Sequence, residues 1–332
     1  MSVAVLGCGA WGKNLVRNFH HLARLAAVVD PDPHARQRSR ELAPLVAVHH
    51  DLARVLDDPR VHAVAIATPA ESHLSLCLAA IQAGKDVLCE KPLALACADA
   101  QRIDALATAR SRIVMVGHIL EYHPAIVALR ALIEAGALGA IRYLHATRLH
   151  PQQTARGALR EKNVLWSLAP HDVAVILRLV GQMPTRVVAT GGAHDEAGAL
   201  DVSATQLRFE RDVVAHLFVS NVHPYKEQRL VVVGSERTAV FDDVRRELVL
   251  HRSVASLPSD VAASVVSGRG ERIAYRADEP LRLECEAFLS AMRTRAAPLT
   301  DARSAMDVLE VLEAAEASLE ARGAPTALRA RA

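Results

Sequence analysis

A chain of 332 residues is long enough for two domains, each with its own core, and 51% hydrophobic with 23% charged residues is the balance of a soluble globular protein. A formal charge of +2 supplies none of the basic field that nucleic acid binding needs. Five cysteines without CxxC spacing argue against a disulfide framework or a zinc site, and no apolar run approaches the about eighteen residues of a membrane span. With no charged leader before the first strand, the expectation is a cytoplasmic protein of buried free thiols, with neither nucleic acid nor membrane as partner.

Val3 to Leu6 reads as a buried parallel strand running into Gly7-x-Gly9-x-x-Gly12, with a helix from Lys13 to Ala23 behind it. Gly7 permits a tight turn, Gly9 lets backbone approach a pyrophosphate, and Gly12 lets helix pack closely on strand. The helix N-terminus offers free N–H groups and a positive dipole end to phosphates. A second apolar run, Leu25 to Val29, ends in Asp30, eighteen residues after Gly12. A carboxylate there accepts the ribose hydroxyls of an adenosine and repels a 2′-phosphate, which favours NAD. Arg36 and Arg38, close behind, leave NADP open.

Pro31-Asp32-Pro33 makes a turn, residues 34 to 43 a polar helix, Val46 to Val48 a strand, and Asp51 caps a helix that ends near Leu56. Strand 64–67 delivers Thr68-Pro69-Ala70-Glu71-Ser72-His73 at its C-terminal end, followed by a helix with apolar Leu74, Leu78 and Ile81. Strand 87–89 ends in Glu90-Lys91-Pro92, and helix 98–109 and strand 113–116 complete the series. Strands alternating with helices predict a doubly wound parallel sheet, a Rossmann domain over 1–118, with ligand beyond the carboxyl ends of its strands.

From residue 119 the pattern changes. A helix over 124–136 and a strand over 141–150 precede a helix over 169–179. Strands over 186–193, 201–209, 213–221, 228–234, 237–242 and 246–251 follow without interleaved helices, which predicts an open, mostly antiparallel sheet in an α+β domain over 119–332. Residues 253–270 read as a flexible loop, 279–295 and 302–322 as helices, and 326–332 as a frayed tail.

Two clusters carry chemistry. A lysine at the end of a Rossmann strand, Lys91, points into the nicotinamide crevice, where its ammonium can hold a substrate hydroxyl and stabilise alkoxide charge. Pro92 holds it extended. Alone, Lys-Pro reads more simply as a surface pair. His171, at a helix start beside Asp172, titrates near neutrality and can take a hydroxyl proton. Alone, it reads more simply as a buried structural histidine, while Asp172 either orients a ring or substrate hydroxyl or caps the helix.

Together, Gly7-x-Gly9-x-x-Gly12, Glu90-Lys91-Pro92 and His171-Asp172 resemble the Gfo/Idh/MocA family of NAD(P)-dependent sugar and inositol dehydrogenases, over the whole chain. The resemblance implies that Lys91 and His171 are catalytic, and that Ala10, Trp11, Thr68, Pro69, His73, Glu90 and Trp166 join the glycines and Asp30 around NAD. Gly9 to Phe19, Gly117 to Pro124 and Asn163 to Asp172 are similar to the branch acting on UDP-N-acetylated sugars. That branch oxidises UDP-N-acetylglucosamine at C3, ahead of an aminotransferase that makes 3-amino sugars for lipid A or surface polysaccharide. His118, Arg148, Arg160, Asn163 and Asp172 would then face the substrate, with Arg156 and Lys162 further cations for the diphosphate. No metal is implied, and the sheet face of such second domains implies a dimer or tetramer. Alternatives are the corresponding glucuronate, an inositol or other polyol, and a non-catalytic NAD-sensing regulator.

Overall fold

Strand β1 (Val3–Leu6) is buried on both faces because the elements around it close over an Ala- and Val-rich sheet. The computed structural model describes residues 1–151, 163–194, 198–252 and 270–328. Two compact units divide it: Met1–Tyr122 with Asp278–Leu309, and His123–Ala277 with Glu310–Ala332.

In the first unit β2 (Leu25–Val29), β3 (Ala47–His49), β4 (Ala63–Ile66), β5 (Asp86–Cys89) and β6 (Val114–Val116) join β1 in a parallel sheet of order β3-β2-β1-β4-β5-β6. The order reverses between β1 and β4, the switch point at which such sheets bind ligand. The helices between the strands are α1 (Gly12–His21), α2 (Pro33–Leu42), α3 (Ala53–Leu56), α4 (His73–Gln82) and α5 (Cys97–Ala109). Asp32 caps α2, its carboxylate accepting from the His34 and Ala35 amides with Pro33 at the first helical position. The buried stripe of α4 is His73, Cys77, Ala80 and Ile81. Leu74 and Leu78, expected on that face, are only half-buried, so the polar His73 takes the inward place instead.

Compactness divides the chain four residues beyond residue 118, and the first unit is not one continuous segment. The chain passes to the second unit after Tyr122 and returns at Asp278, bringing α9 (Pro280–Thr294) back to the Rossmann core. The physical reason is the apolar stripe of α9: Leu281, Cys285, Phe288 and Met292 join Leu15, Phe19 and Met115 in one cluster. The Arg295 guanidinium then grips the buried Asp86 carboxylate at 2.6 and 3.1 Å and tethers the end of α9 to the start of β5. All five cysteines are free and buried, as expected.

In the second unit α6 (Pro124–Glu134) is capped by the His123 imidazole, whose Nδ1 accepts from the Ala125 amide at 3.1 Å. Strand β7 (Ile141–Leu149), the short α7 (Val164–Ser167) and α8 (Ala169–Val180) follow, and then β8 (Arg186–Gly192), β9 (Val202–Arg208), β10 (Val214–Ser220), β11 (Glu227–Gly234), β12 (Arg237–Asp242), β13 (Glu247–Arg252) and β14 (Glu271–Arg272). After α10 (Ala302–Glu320), the chain closes with β15 (Thr326–Ala327). The sheet order is β14-β13-β12-β11-β7-β10-β9-β8-β15, antiparallel except for the parallel pair β7–β10. Residues 326 and 327, expected in a frayed tail, instead pair with Val187 and Arg186, which gives β8 a neighbour on its outer edge. Alternation along β7, β9 and β10 buries one face of the sheet. The other face is more open and carries Tyr143, His145, Gln206 and His216, the last of which receives the Gln206 amide at 2.9 Å. Residues 253–269, expected as a loop, lie outside the described residues.

The α9 stripe also carries a misfit, Glu284, fully buried with both carboxyl oxygens lacking a hydrogen-bond partner. Burial, and then the Glu90 carboxylate, push its proton affinity well above the usual carboxylate range. The folded chain thus keeps a proton that the unfolded chain sheds above about pH 4.5, so stability falls as pH rises beyond that value. Glu284→Gln is expected to flatten this fall, gaining on the wild type from pH 5 upward in urea titrations at a series of pH values. Phe288→Ala is expected to cost about 3–5 kcal/mol in the same assay, because the side chain is fully buried in the Rossmann cluster.

Candidate active site

The glycine loop follows from steric limits. Gly7 sits at φ +92°, and a Cβ there would lie 2.6 Å from the Ala67 carbonyl oxygen of the neighbouring strand. A Cβ at Gly12 would fall 2.0 Å from the Gly7 carbonyl oxygen, so only glycine lets α1 start this close to β1. Gly9 has open space beyond its Cα and, with Ala10, is exposed to solvent at the mouth of the loop. That is the room a pyrophosphate needs before the N-terminus of α1.

Asp30 does more than wait for a ribose. Its Oδ2 accepts the Cys8 amide at 2.7 Å and its Oδ1 the Asp32 amide at 2.8 Å, so the acid also pins the glycine loop to the end of β2. Each oxygen keeps a further lone pair for a ribose hydroxyl. Arg38 donates to the Cys8 carbonyl at 2.7 Å, and Arg36 to the carbonyls of Asp30 and Pro31 at 3.0 and 2.7 Å. Both arginines therefore hold backbone around the acid. The residues present fit NAD: a glycine cradle open at Gly9 and a carboxylate at the ribose position.

The ends of β4 and β5 lie beside this loop in the same unit. Thr68 and Ser72 share a hydroxyl hydrogen bond of 2.6 Å, and Pro69 is exposed. The His73 ring is buried, its two nitrogens lying against the Thr68 and Pro92 carbonyls, so it faces protein rather than the open mouth. The half-exposed Trp11 indole donates to the Glu90 carboxylate. Glu90 stands over Gly117, where a Cβ would be 2.8 Å from its Oε2. Burial pushes the Glu90 carboxyl up to about 7, against the pull of Trp11 and Lys91. Lys91 is partly exposed at the strand end, and its peptide bond to Pro92 is cis. His118 is buried at the end of β6, its amide donating to the Val116 carbonyl at 2.7 Å.

In the second unit Asn163 caps α7, its Oδ1 accepting from the Leu165 amide at 2.9 Å. The Trp166 indole donates to Glu316 at 3.2 Å. His171, partly exposed, stands in the first turn of α8. Its neighbour Asp172 neither caps the helix nor stays open. It is buried and takes the Arg148 guanidinium through Nε at 2.5 Å and Nη2 at 3.0 Å. Gln228 accepts from Arg148 Nη1 at 3.0 Å and donates to Asp243 Oδ2 at 2.8 Å, and Asp243 faces His123 at 3.4 Å. Burial pushes the Arg148 guanidinium down, but Asp172 and Asp243 reverse this and hold it above its ordinary value. All three guanidinium nitrogens of Arg148 are thus engaged inside the unit, so Arg148 and Asp172, expected at the substrate, hold each other. Arg160, with Arg156 and Lys162, lies outside the described residues. Among the described residues no group of three or more His, Cys, Asp or Glu side chains could hold a metal ion. No described helix is long and apolar enough to cross a membrane.

Sequence reading missed Glu284 and the Gln228–Asp243 link. The first had a signal, since Leu281, Glu284, Cys285 and Phe288 share one helical face and an acid there breaks the stripe. The second had none, because strand pairing brings Gln228 and Asp243 together only once the sheet exists.

Comparison with known proteins bears on what this scaffold does. Residues 1–118 match the model described as oxidoreductase family, NAD-binding Rossmann fold, and residues 126–240 that of the GFO/IDH/MocA C-terminal domain. The chain is 29% identical over 293 residues to UDP-N-acetylglucosamine 3-dehydrogenase of Acidithiobacillus ferrooxidans, covering 88% of each. A solved structure of that enzyme aligns with a TM-score of 0.84 at 28% identity, over 97% of this chain and 98% of the other. Inositol 2-dehydrogenase of Streptomyces avermitilis is 36% identical over 211 residues, 60% of each chain. The glycine cradle, the acid that pins it and the matches in both units carry one conclusion: the chain is an NAD-dependent dehydrogenase of sugars or polyols and belongs to the Gfo/Idh/MocA oxidoreductase family.

Proposed function

We propose that the protein oxidises the C3 hydroxyl of a UDP-N-acetylated sugar, UDP-N-acetylglucosamine in the first instance, to the 3-keto sugar. The observation that carries this reading is the similarity to UDP-N-acetylglucosamine 3-dehydrogenase along nearly the whole of both chains. Bound NAD supplies the hydride acceptor. His171 takes the proton of the C3 hydroxyl, and the Lys91 ammonium donates to the same oxygen, holding its developing negative charge until the C=O bond has formed. The chain's further task is placement, because a reacting carbon must lie within about 3–3.5 Å of its acceptor. Asp172 serves that task through the helix it shares with His171. Arg148 holds Asp172, which leaves Arg160 and its neighbours as the cations for the diphosphate. His118, Asn163 and Trp166 complete the lining.

In this reading the ketone passes to an aminotransferase, and the 3-amino sugar serves lipid A or surface polysaccharide. The more open sheet face of the second unit joins copies into a dimer or tetramer, and the enzyme works in the cytoplasm. A second reading, an inositol 2-dehydrogenase, is favoured by the 36% identity over 211 residues.

Mixing the protein with NAD+ and UDP-N-acetylglucosamine is expected to generate the near-ultraviolet absorbance of NADH, and turnover of myo-inositol without turnover of the UDP-sugar would select the second reading. Lys91→Ala and His171→Ala are each expected to lower kcat by about 10²–10⁴ while NAD still binds, as read by fluorescence titration. Asp30→Ala is expected to weaken NAD binding about 10- to 100-fold in that titration, since it removes a charged acceptor for both the ribose and the Cys8 amide.

A further inference from the structure

His73 presents a conflict of donors and acceptors. Its Nδ1 lies 2.7 Å from the Pro92 carbonyl oxygen and its Nε2 2.9 Å from the Thr68 carbonyl oxygen. Both partners are pure acceptors, whereas a neutral imidazole carries a single N–H. Only the doubly protonated ring donates to both. The ring is buried at the start of α4, so water does not relieve the shortfall.

The two carbonyls belong to different strand ends. Thr68 follows β4, beside the glycine loop, and Pro92 follows Lys91 after β5. One side chain therefore ties together the turns that follow two neighbouring strands, β4 and β5. We propose that His73 is a positioning residue, its protonated ring bracing the Lys91-Pro92 turn against the Thr68-Pro69 turn. This rests on the reading in which Lys91 meets the substrate oxygen.

The charged and titratable groups facing the ring are Glu71 and Lys91, together with the two carbonyls. Burial pushes the ring below its ordinary value and Lys91 adds to this, while the carbonyls and Glu71 pull it back, and the net direction is downward. The brace is complete on the acid side. As pH rises through the value of the ring, one N–H is lost, and one carbonyl then faces a lone pair instead of a donor. The turn holding Lys91 is correspondingly less constrained once the pH has passed that value, which lies below the ordinary one for histidine.

Nitrogen NMR of the histidine-labelled wild type tests the protonation directly. Across a pH series His73 is expected to show two protonated ring nitrogens at the lower, acid end and one at the higher, alkaline end, with a midpoint below the ordinary histidine value. A single N–H at the lower pH overturns the proposal, whatever the substrate proves to be. NADH titration of wild type against His73→Gln tests the bracing. The variant is expected to bind about three- to tenfold more weakly at the lower pH, with the ratio shrinking toward one at the higher. A ratio that does not change with pH overturns the positioning role, since a packing defect alone has no reason to follow the His73 proton. Should the variant fail to fold, the NMR measurement on the wild type decides alone.

Discussion

The first unit depends on one close approach. A side chain at Gly12 would come within 2.0 Å of the Gly7 carbonyl, and one at Gly7 would meet the Ala67 carbonyl at 2.6 Å. Three pieces of backbone, from the glycine loop, α1 and the end of β4, thus converge where any Cβ would force them apart. Asp30 adds the polar lock, taking the Cys8 amide into its carboxylate. Open space at Gly9 is the consequence: tight packing at its two flanking glycines holds the loop in a shape that leaves the third exposed. Cofactor binding in such a fold is a property of backbone spacing before it is one of side chains.

The second unit is organised differently, by a charge pair out of water. Arg148, near the end of the central strand β7, and Asp172, in the first turn of α8, face each other in a bidentate arrangement with little exposure on either side. Removing one partner would leave a buried charge uncompensated, which costs more than the pair contributes. The pair is therefore better understood as fixing the register of α8 on the sheet than as a source of stability. Gln228 and Asp243 extend the hydrogen bonding and satisfy the last guanidinium nitrogen. His171 occupies the neighbouring position on that fixed helical turn.

Much of this was legible in the chain. The alternation of strand and helix over 3–116 fixes a parallel sheet, and the run of alternating strands from 186 to 252 an antiparallel one, because periodicity of 2 or 3.6 reports directly which side is buried. The glycine spacing and Asp30 announced the cofactor loop for the same local reason. Long-range partners were not legible. The return of α9 to the first unit depends on Phe288 and Leu281 finding Phe19 and Leu15, more than 260 positions earlier. Arg148 looked like a cation free for phosphate because nothing local shows that Asp172 claims it. Thr326 and Ala327 looked like tail because a two-residue strand has no period of its own.

The ends of β4 and β5 show how one fold gathers opposite demands on proton affinity. Glu90 is desolvated, which favours its neutral form, yet the Trp11 indole and Lys91 favour the carboxylate, and the balance falls near neutrality. His73, on the far side of Lys91-Pro92, is desolvated too, but there burial favours the neutral ring. Burial therefore removes charge of opposite sign from the two neighbours of Lys91. As pH rises through neutrality Glu90 gains its negative charge, while His73 has given up its positive one at lower pH. Both changes make the surroundings of Lys91 more negative, so the field at the strand end that carries the ammonium is set by how deeply its two neighbours are buried.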